Sequence, residues 1–163
     1  MITLDQILFD ALMADDDIKD AVKTVDKQGT VTDYRIKSTC FEVGPDGQDN
    51  TPLPCIIVTD DGLQNELGTK DDVWEGREDK VQASIEVDGR SPREVSHLLH
   101  LARHAVAAFI LGKSVGGGFP SSYPDEQIPY LDSVVTNGTA WDWMKPCYHS
   151  TITYTCIMQN GYD

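Results

Sequence analysis

The tetrapeptide Ser91-Pro92-Arg93-Glu94 constrains this chain more than any other feature. A serine hydroxyl accepts from the free N–H groups at a helix start, proline suits the first helical position, and a glutamate three residues after the serine completes a capping box. Behind it, Val95, Leu98, Leu99, Ala102, Val106, Phe109 and Ile110 recur at helical spacing. The spacing predicts one long amphipathic helix that runs to Leu111 and stops at Gly112. Just before it, Val81, Ala83, Ile85 and Val87 alternate with Gln82, Ser84, Glu86 and Asp88, the pattern of a half-buried strand. A half-buried strand followed by an amphipathic helix fits a sheet with helices on one face.

The rest of the chain is read around that unit. Thr3 and Gln6 have the spacing of a capping box, and Leu4, Ile7, Leu8, Ala11 and Leu12 mark one apolar helix face behind them. The face gives out at Asp15-Asp16-Asp17. Ile18, Val22 and Val25 predict a short second helix ending near Gln28-Gly29. Residues Tyr34 to Val43 alternate as a strand, and Gly44-Pro45-Asp46-Gly47 is a turn signal. After Pro52-Leu53-Pro54 comes Cys55-Ile56-Ile57-Val58-Thr59, a β-branched run that favours a buried strand. Asp60 to Gly76 is polar and acidic and reads as a long loop or an extended hairpin. Val115 to Pro129, with three successive glycines, reads as loop. Tyr130 to Thr136 and Tyr148 to Met158 read as strands, and Asn137-Gly138 as a hairpin-type turn.

Helix, strands, long helix, strands is the order of an α+β domain. The expectation is a largely antiparallel or mixed sheet of about four to five strands, with an N-terminal helix and one long helix packed on it. No linker, repeat or low-complexity tract interrupts the chain. Residues 1–163 therefore read as a single domain with a loop-rich insertion around 113–129.

Charge narrows the function classes. Twenty-seven Asp and Glu against 13 Lys and Arg give a formal charge of −14. A nucleic-acid groove needs cations to displace counterions from phosphates, so specific DNA or RNA binding is not expected. A membrane-surface role is disfavoured for the same reason, and no run approaches the length of a membrane helix. The start Met1-Ile2-Thr3-Leu4-Asp5 lacks the features of a signal peptide, which leads to the expectation of synthesis in a cytosol. Cys40, Cys55, Cys147 and Cys156 are widely spaced, with no C-x-x-C, and read as small buried residues rather than a four-cysteine zinc site.

No pattern in the sequence assigns catalytic, cofactor-binding or metal residues. His97, His100 and His104 share the face of the long helix opposite its apolar stripe, and Arg93 lies with them. Imidazoles so placed can bind a transition metal or sense pH, but the favoured reading is a polar face that is solvated or packs on a neighbouring subunit. No H-E-x-x-H occurs. The acidic runs Asp15-Asp16-Asp17, Asp60-Asp61 and Asp71-Asp72 do not match a calcium loop and read as solvated. Gly116-Gly117-Gly118 follows a helix instead of opening one, so it is no phosphate loop. Asn137-Gly138-Thr139 fits a glycosylation acceptor, which matters only in a secreted eukaryotic protein. Trp141 and Trp143 read as loop anchors or interface residues. The absence of any nucleophile motif gives no positive reason to expect an enzyme.

Taken in order, Pro52-Leu53-Pro54-Cys55-Ile56-Ile57-Val58, the Gly68-Thr69-Lys70 stretch, the alternating strand Val81 to Val87 and Gly89-Arg90-Ser91-Pro92-Arg93-Glu94 form a recognisable series. It resembles the tail-completion and tail-terminator family of tailed bacteriophages, in which a proline-led strand, a strand ending near a Gly-x-Ser phrase and a long helix recur. The stretch Lys113 to Pro129 and the long segment before Trp74 depart from that family's compact pattern. The resemblance implies a non-enzymatic virion protein without cofactors, made in the bacterial host cytoplasm. It implies assembly into a ring, commonly a hexamer, that caps the tail tube and joins it to the head-completion or connector protein, with DNA only as passing cargo and no membrane. A neck or minor tail protein of the same virion is the alternative. A metal-dependent enzyme using the His97-His100-His104 face is a further one.

Overall fold

The computed structural model describes residues 3–37, 52–64, 77–114 and 130–160. Its first helix, α1 (Leu4–Met13), buries Leu4, Ile7, Leu8, Ala11 and Leu12, the face expected from their spacing. The start of α1 differs from expectation. Thr3 occupies the N-cap with extended backbone, but its hydroxyl makes no capping bond. The Gln6 amide instead donates to Asp10 Oδ1 at 2.9 Å, one turn on. The capping box is therefore not formed.

Helix α2 (Asp16–Val22) is capped by Asp15, whose carboxylate accepts from the Ile18 N–H at 3.0 Å. Asp15 is thus a structural cap and not only a solvated charge. The helix ends at Val22, earlier than Gln28-Gly29, because the backbone turns extended at Lys23. There β1 (Lys23–Val25) pairs antiparallel with β2 (Val31–Tyr34) as a two-stranded ribbon. Asp26 closes the turn by accepting from the N–H groups of Gln28 and Thr30, and Gly29 supplies the positive φ of 84°. Buried Arg35 ties the ribbon to the main sheet: its Nε donates to the Pro54 carbonyl at 2.8 Å, and its Nη1 to the Lys23 carbonyl and the Thr24 hydroxyl.

The main sheet contains β3 (Ile36–Lys37), β4 (Cys55–Gln64), β5 (Arg77–Gly89), β6 (Tyr130–Thr136), β7 (Ala140–Asp142) and β8 (Cys147–Asn160). Its order is β3-β4-β5-β8-β6, with β7 also on β8. The β3–β4 pair is parallel and all the others are antiparallel, so the sheet is mixed within an α+β fold. The extended segment expected from Tyr34 to Val43 is split into the end of β2 and β3, and residues 38–51 lie outside the described residues. Asp60 to Gln64, read as the start of a long loop or an extended hairpin, continues β4 across a register shift at which Gly62 has φ 93°, in keeping with the hairpin alternative. The β4–β5 pair is accordingly an extended antiparallel arrangement.

Helix α3 (Pro92–Ser114) begins where expected. The Ser91 hydroxyl accepts from the Glu94 N–H at 3.2 Å. The glutamate reaches back to the Arg90 N–H at 2.9 Å, one residue before the serine. The helix does not stop at Gly112 but continues to Ser114, into the region read as insertion; a glycine costs a helix about 1 kcal/mol but does not by itself end one. Val95, Leu98, Leu99, Ala102, Ala105, Val106 and Ile110 meet Ile7, Leu8 and Leu12 of α1 over Ile56, Val58, Ala83, Ile85, Val87, Ile152, Tyr154 and Cys156 of the sheet. Burial of each large aliphatic side chain in that layer contributes about 1.5–3 kcal/mol.

Asn137-Gly138 is not a hairpin turn. Both β6 and β7 run antiparallel to β8, along the same edge of it. Between them the Asn137 N–H donates to the Thr151 carbonyl at 2.9 Å, and its side-chain amide to the Thr151 hydroxyl at 2.8 Å. A type I′ turn needs positive φ at both central residues, and Gly138 has none. The chain reverses later, across Trp143–Pro146.

Candidate functional site

Strand pairing builds a charged cluster that no local sequence pattern shows. Asp88 of β5 stands opposite His149 of β8 and Cys55 of β4, and Glu86 stands opposite Thr151 and Ile57. Directly paired residues share a face, so Glu86, Asp88 and His149 lie together on the face opposite Ile85, Val87 and Ile152. Asp142 of β7 joins them, because it pairs with Cys147, two residues before His149.

The turn after β7 adds a cation. Asp142 Oδ1 accepts from the N–H groups of Met144 at 2.9 Å and Lys145 at 3.4 Å. This turn bends Lys145 back over the sheet, with its ammonium 2.7 Å from Glu86 Oε2 and 3.5 Å from Asp88 Oδ2. The other oxygens face elsewhere. Glu86 Oε1 is 3.9 Å and Asp142 Oδ2 is 3.8 Å from His149 Nδ1. Asp88 Oδ1 and His149 Nδ1 are buried without a hydrogen-bond partner among the described residues.

Burial and like charge act on Asp88 together. Its side chain is 2 % exposed. Desolvation, reinforced by the Glu86 carboxylate, pushes its pKa up to about 7, against the opposing pull of Lys145. The Lys145 pKa is itself raised: burial works against its charge, but Glu86 and Asp88 outweigh burial. Cys147 beside them is pushed up to about 12 by burial and by the field of Asp88, which makes it a poor nucleophile at neutral pH. Three carboxylates, one ammonium and one imidazole can hold a cation or relay a proton; they do not form a nucleophile–base pair. Among the described residues, Glu86, Asp88 and His149 form a group whose donor atoms lie within 4.8 Å of one another, the geometry of a candidate metal site.

The histidines singled out by the sequence lie elsewhere. His97, His100 and His104 are exposed on α3, on the side away from its buried stripe. The structure does not bring Asp15-Asp16-Asp17 or Asp60-Asp61 into the cluster, and Asp71-Asp72, Trp74, Cys40 and Gly116-Gly117-Gly118 lie outside the described residues. Cys55, Cys147 and Cys156 are buried thiols, as their spacing suggested. Trp141 packs edge-on against Tyr148 at 4.8 Å and Trp143 at 5.8 Å. Glu86, Asp88, Asp142, Lys145 and His149 all escaped sequence reasoning; the Glu86-x-Asp88 alternation was visible, but only as the outward face of a strand.

A second feature is an apolar recess of about 320 Å³ between α3 and the β6–β8 edge, lined by Val106, Ala107, Ile110, Leu131, Val134, Tyr154 and Arg103. Burial pushes the Tyr154 phenol up to about 12, so it stays neutral there and offers no acid or base near pH 7. No helix among the described residues is long and apolar enough to cross a membrane. In comparisons with known proteins, no family model matches the chain and no curated protein matches it significantly.

Proposed function

We propose that this chain is a structural virion protein of a tailed phage or prophage, which assembles into a ring, commonly a hexamer, and caps the tail tube where it meets the head connector. The observation that carries the reading is the distribution of exposed apolar side chains. Of the seven large hydrophobic residues exposed among the described residues, Leu131, Val135, Trp141, Trp143 and Met144 lie on β6, β7 and the turn after them, at one edge of the sheet. An exposed apolar sheet edge is unfavourable for an isolated monomer and suited to contact between subunits.

Two further points support it. The α+β order of a proline-led strand, a long alternating strand and a capped long helix is the series on which the family resemblance rests. A charge of −14 per subunit suits a ring through which DNA passes without being held. In this reading the partners are other copies of the chain, the tail tube protein and the head-completion or connector protein, and the protein works in the virion without catalysis.

The genomic test is direct. Genes for a connector, a head-closure protein and a major tail tube protein are expected beside this one. A neighbourhood of metabolic genes, with no virion genes, contradicts the reading.

A further inference from the structure

We propose that Glu86, Asp88 and His149 form a binding site for one divalent transition-metal ion, with Asp142 presented as a fourth donor. The inference is independent of the virion reading, since a structural metal suits a ring subunit and any other α+β domain alike.

The argument starts from which atoms are already used. Lys145 engages Glu86 Oε2 and Asp88 Oδ2, and the backbone of the turn engages Asp142 Oδ1. Of the remaining donors, Glu86 Oε1 and Asp142 Oδ2 both approach His149 Nδ1 at 3.8–3.9 Å, and Asp88 Oδ1 is buried with no hydrogen-bond partner among the described residues. A buried carboxylate oxygen is costly to leave without a hydrogen bond, and a cation held among these donors would satisfy it. Exposed acidic groups gather without ligands, but Asp88 is buried, and one donor atom each of Glu86, Asp88 and His149 lies within 4.8 Å of the others.

Charge and distance agree. Glu86, Asp88 and Asp142 set three carboxyl groups against the single ammonium of Lys145, and a divalent ion offsets the charge they carry when ionised. Ligands of a tetrahedral zinc ion with bonds of about 2.1 Å lie about 3.4 Å apart. The donor atoms here fall within 4.8 Å, and rotation of the partly exposed Glu86 side chain closes the gap. Lys145 then stays as an outer partner on the carboxylate oxygens that the metal does not use, orienting them as such groups commonly do. One imidazole among carboxylates favours zinc or manganese over magnesium, which takes oxygen donors and holds its waters. Such an ion links β5, β7 and β8, so its expected role is to lock the β7–β8 reversal onto the central strand.

The test is titration of the chelator-treated full chain with Zn²⁺, Mn²⁺ and Mg²⁺ by isothermal calorimetry. One zinc per chain is expected, with Mg²⁺ at least tenfold weaker. His149→Ala should lower zinc affinity at least tenfold, and a triple His97→Ala, His100→Ala, His104→Ala variant should bind as the parent does. Absence of zinc binding, equal binding of magnesium, or loss of binding in the triple variant with retention in His149→Ala overturns the proposal. If His149→Ala does not fold, Mn²⁺ line broadening in the parent decides: broadening centred on the Glu86, Asp88 and His149 amides supports the site, and broadening confined to α3, or none, overturns it.

Discussion

The Lys145 ammonium sits 2.7 Å from Glu86 Oε2, so a residue in the turn after β7 is held to the central strand β5. Asp88, 3.5 Å from the same ammonium, makes the contact three-membered. Lys145→Met keeps the length of the side chain and removes its charge, which leaves two carboxylates facing each other. Loss of about 2 kcal/mol is expected, below the full cost of breaking a buried pair because Glu86 is partly solvated. Urea unfolding in the presence of chelator measures it, and Asp88→Asn added to Lys145→Met should recover part of the loss.

Gly89 marks the closest approach of β5 to α3. A Cβ there would stand 2.8 Å from Val95 Cγ2 and 3.3 Å from Glu94 Oε1. Val95 is fully buried and cannot move aside. Gly89→Ala should destabilise the protein by about 1–3 kcal/mol through overpacking, read as a lower midpoint with an unchanged m-value in urea.

Glu94 ties the start of α3 to Arg90. Its partial burial disfavours the charge, but the Arg90 N–H and guanidinium outweigh burial and hold its pKa below the ordinary value. A depressed carboxyl pKa contributes stability that is present above the unfolded-state value, about 4.3, and is lost as pH falls through the folded value. Glu94→Gln should therefore be less stable than the parent by about 1 kcal/mol at pH 7, and the difference should shrink as pH drops below about 4. Thermal melts of both proteins across that range check the sign.

Cys55, Cys147 and Cys156 are buried, and burial pushes both Cys147 and Cys156 up to about 12. These three thiols should resist a disulfide reagent at pH 8 in the native state and react at once in denaturant. Mass spectrometry of the labelled peptides identifies which sites react; rapid native labelling at Cys147 or Cys156 contradicts the packing described.

What could be read ahead of the structure was whatever repeats locally. The stripe from Val95 to Ile110 and the alternation from Val81 to Val87 each follow from a single element's period, and both are core. Strand β6 has the bounds its composition suggested. Two of the errors lie where another group competes for a partner. Gln6 preferred Asp10 to the helix start, and Asn137 found Thr151, so the Asn-Gly pair never closed a turn. The charged cluster was illegible for the same reason. Glu86 and His149 meet only because β5 and β8 pair in one register, and a shift of one residue would turn one of them to the other face.

Assembly is the central claim. Trp143 and Met144 are 86 % and 83 % exposed at the end of the apolar edge. Light scattering coupled to size exclusion, on the purified chain alone and mixed with the tail tube protein that the proposed function requires, measures assembly directly. A closed multimer of this chain, free or bound at tube ends, is expected, and Trp143→Asp should weaken it with no loss of thermal stability. A chain that remains monomeric at high concentration and does not join the tube protein contradicts it.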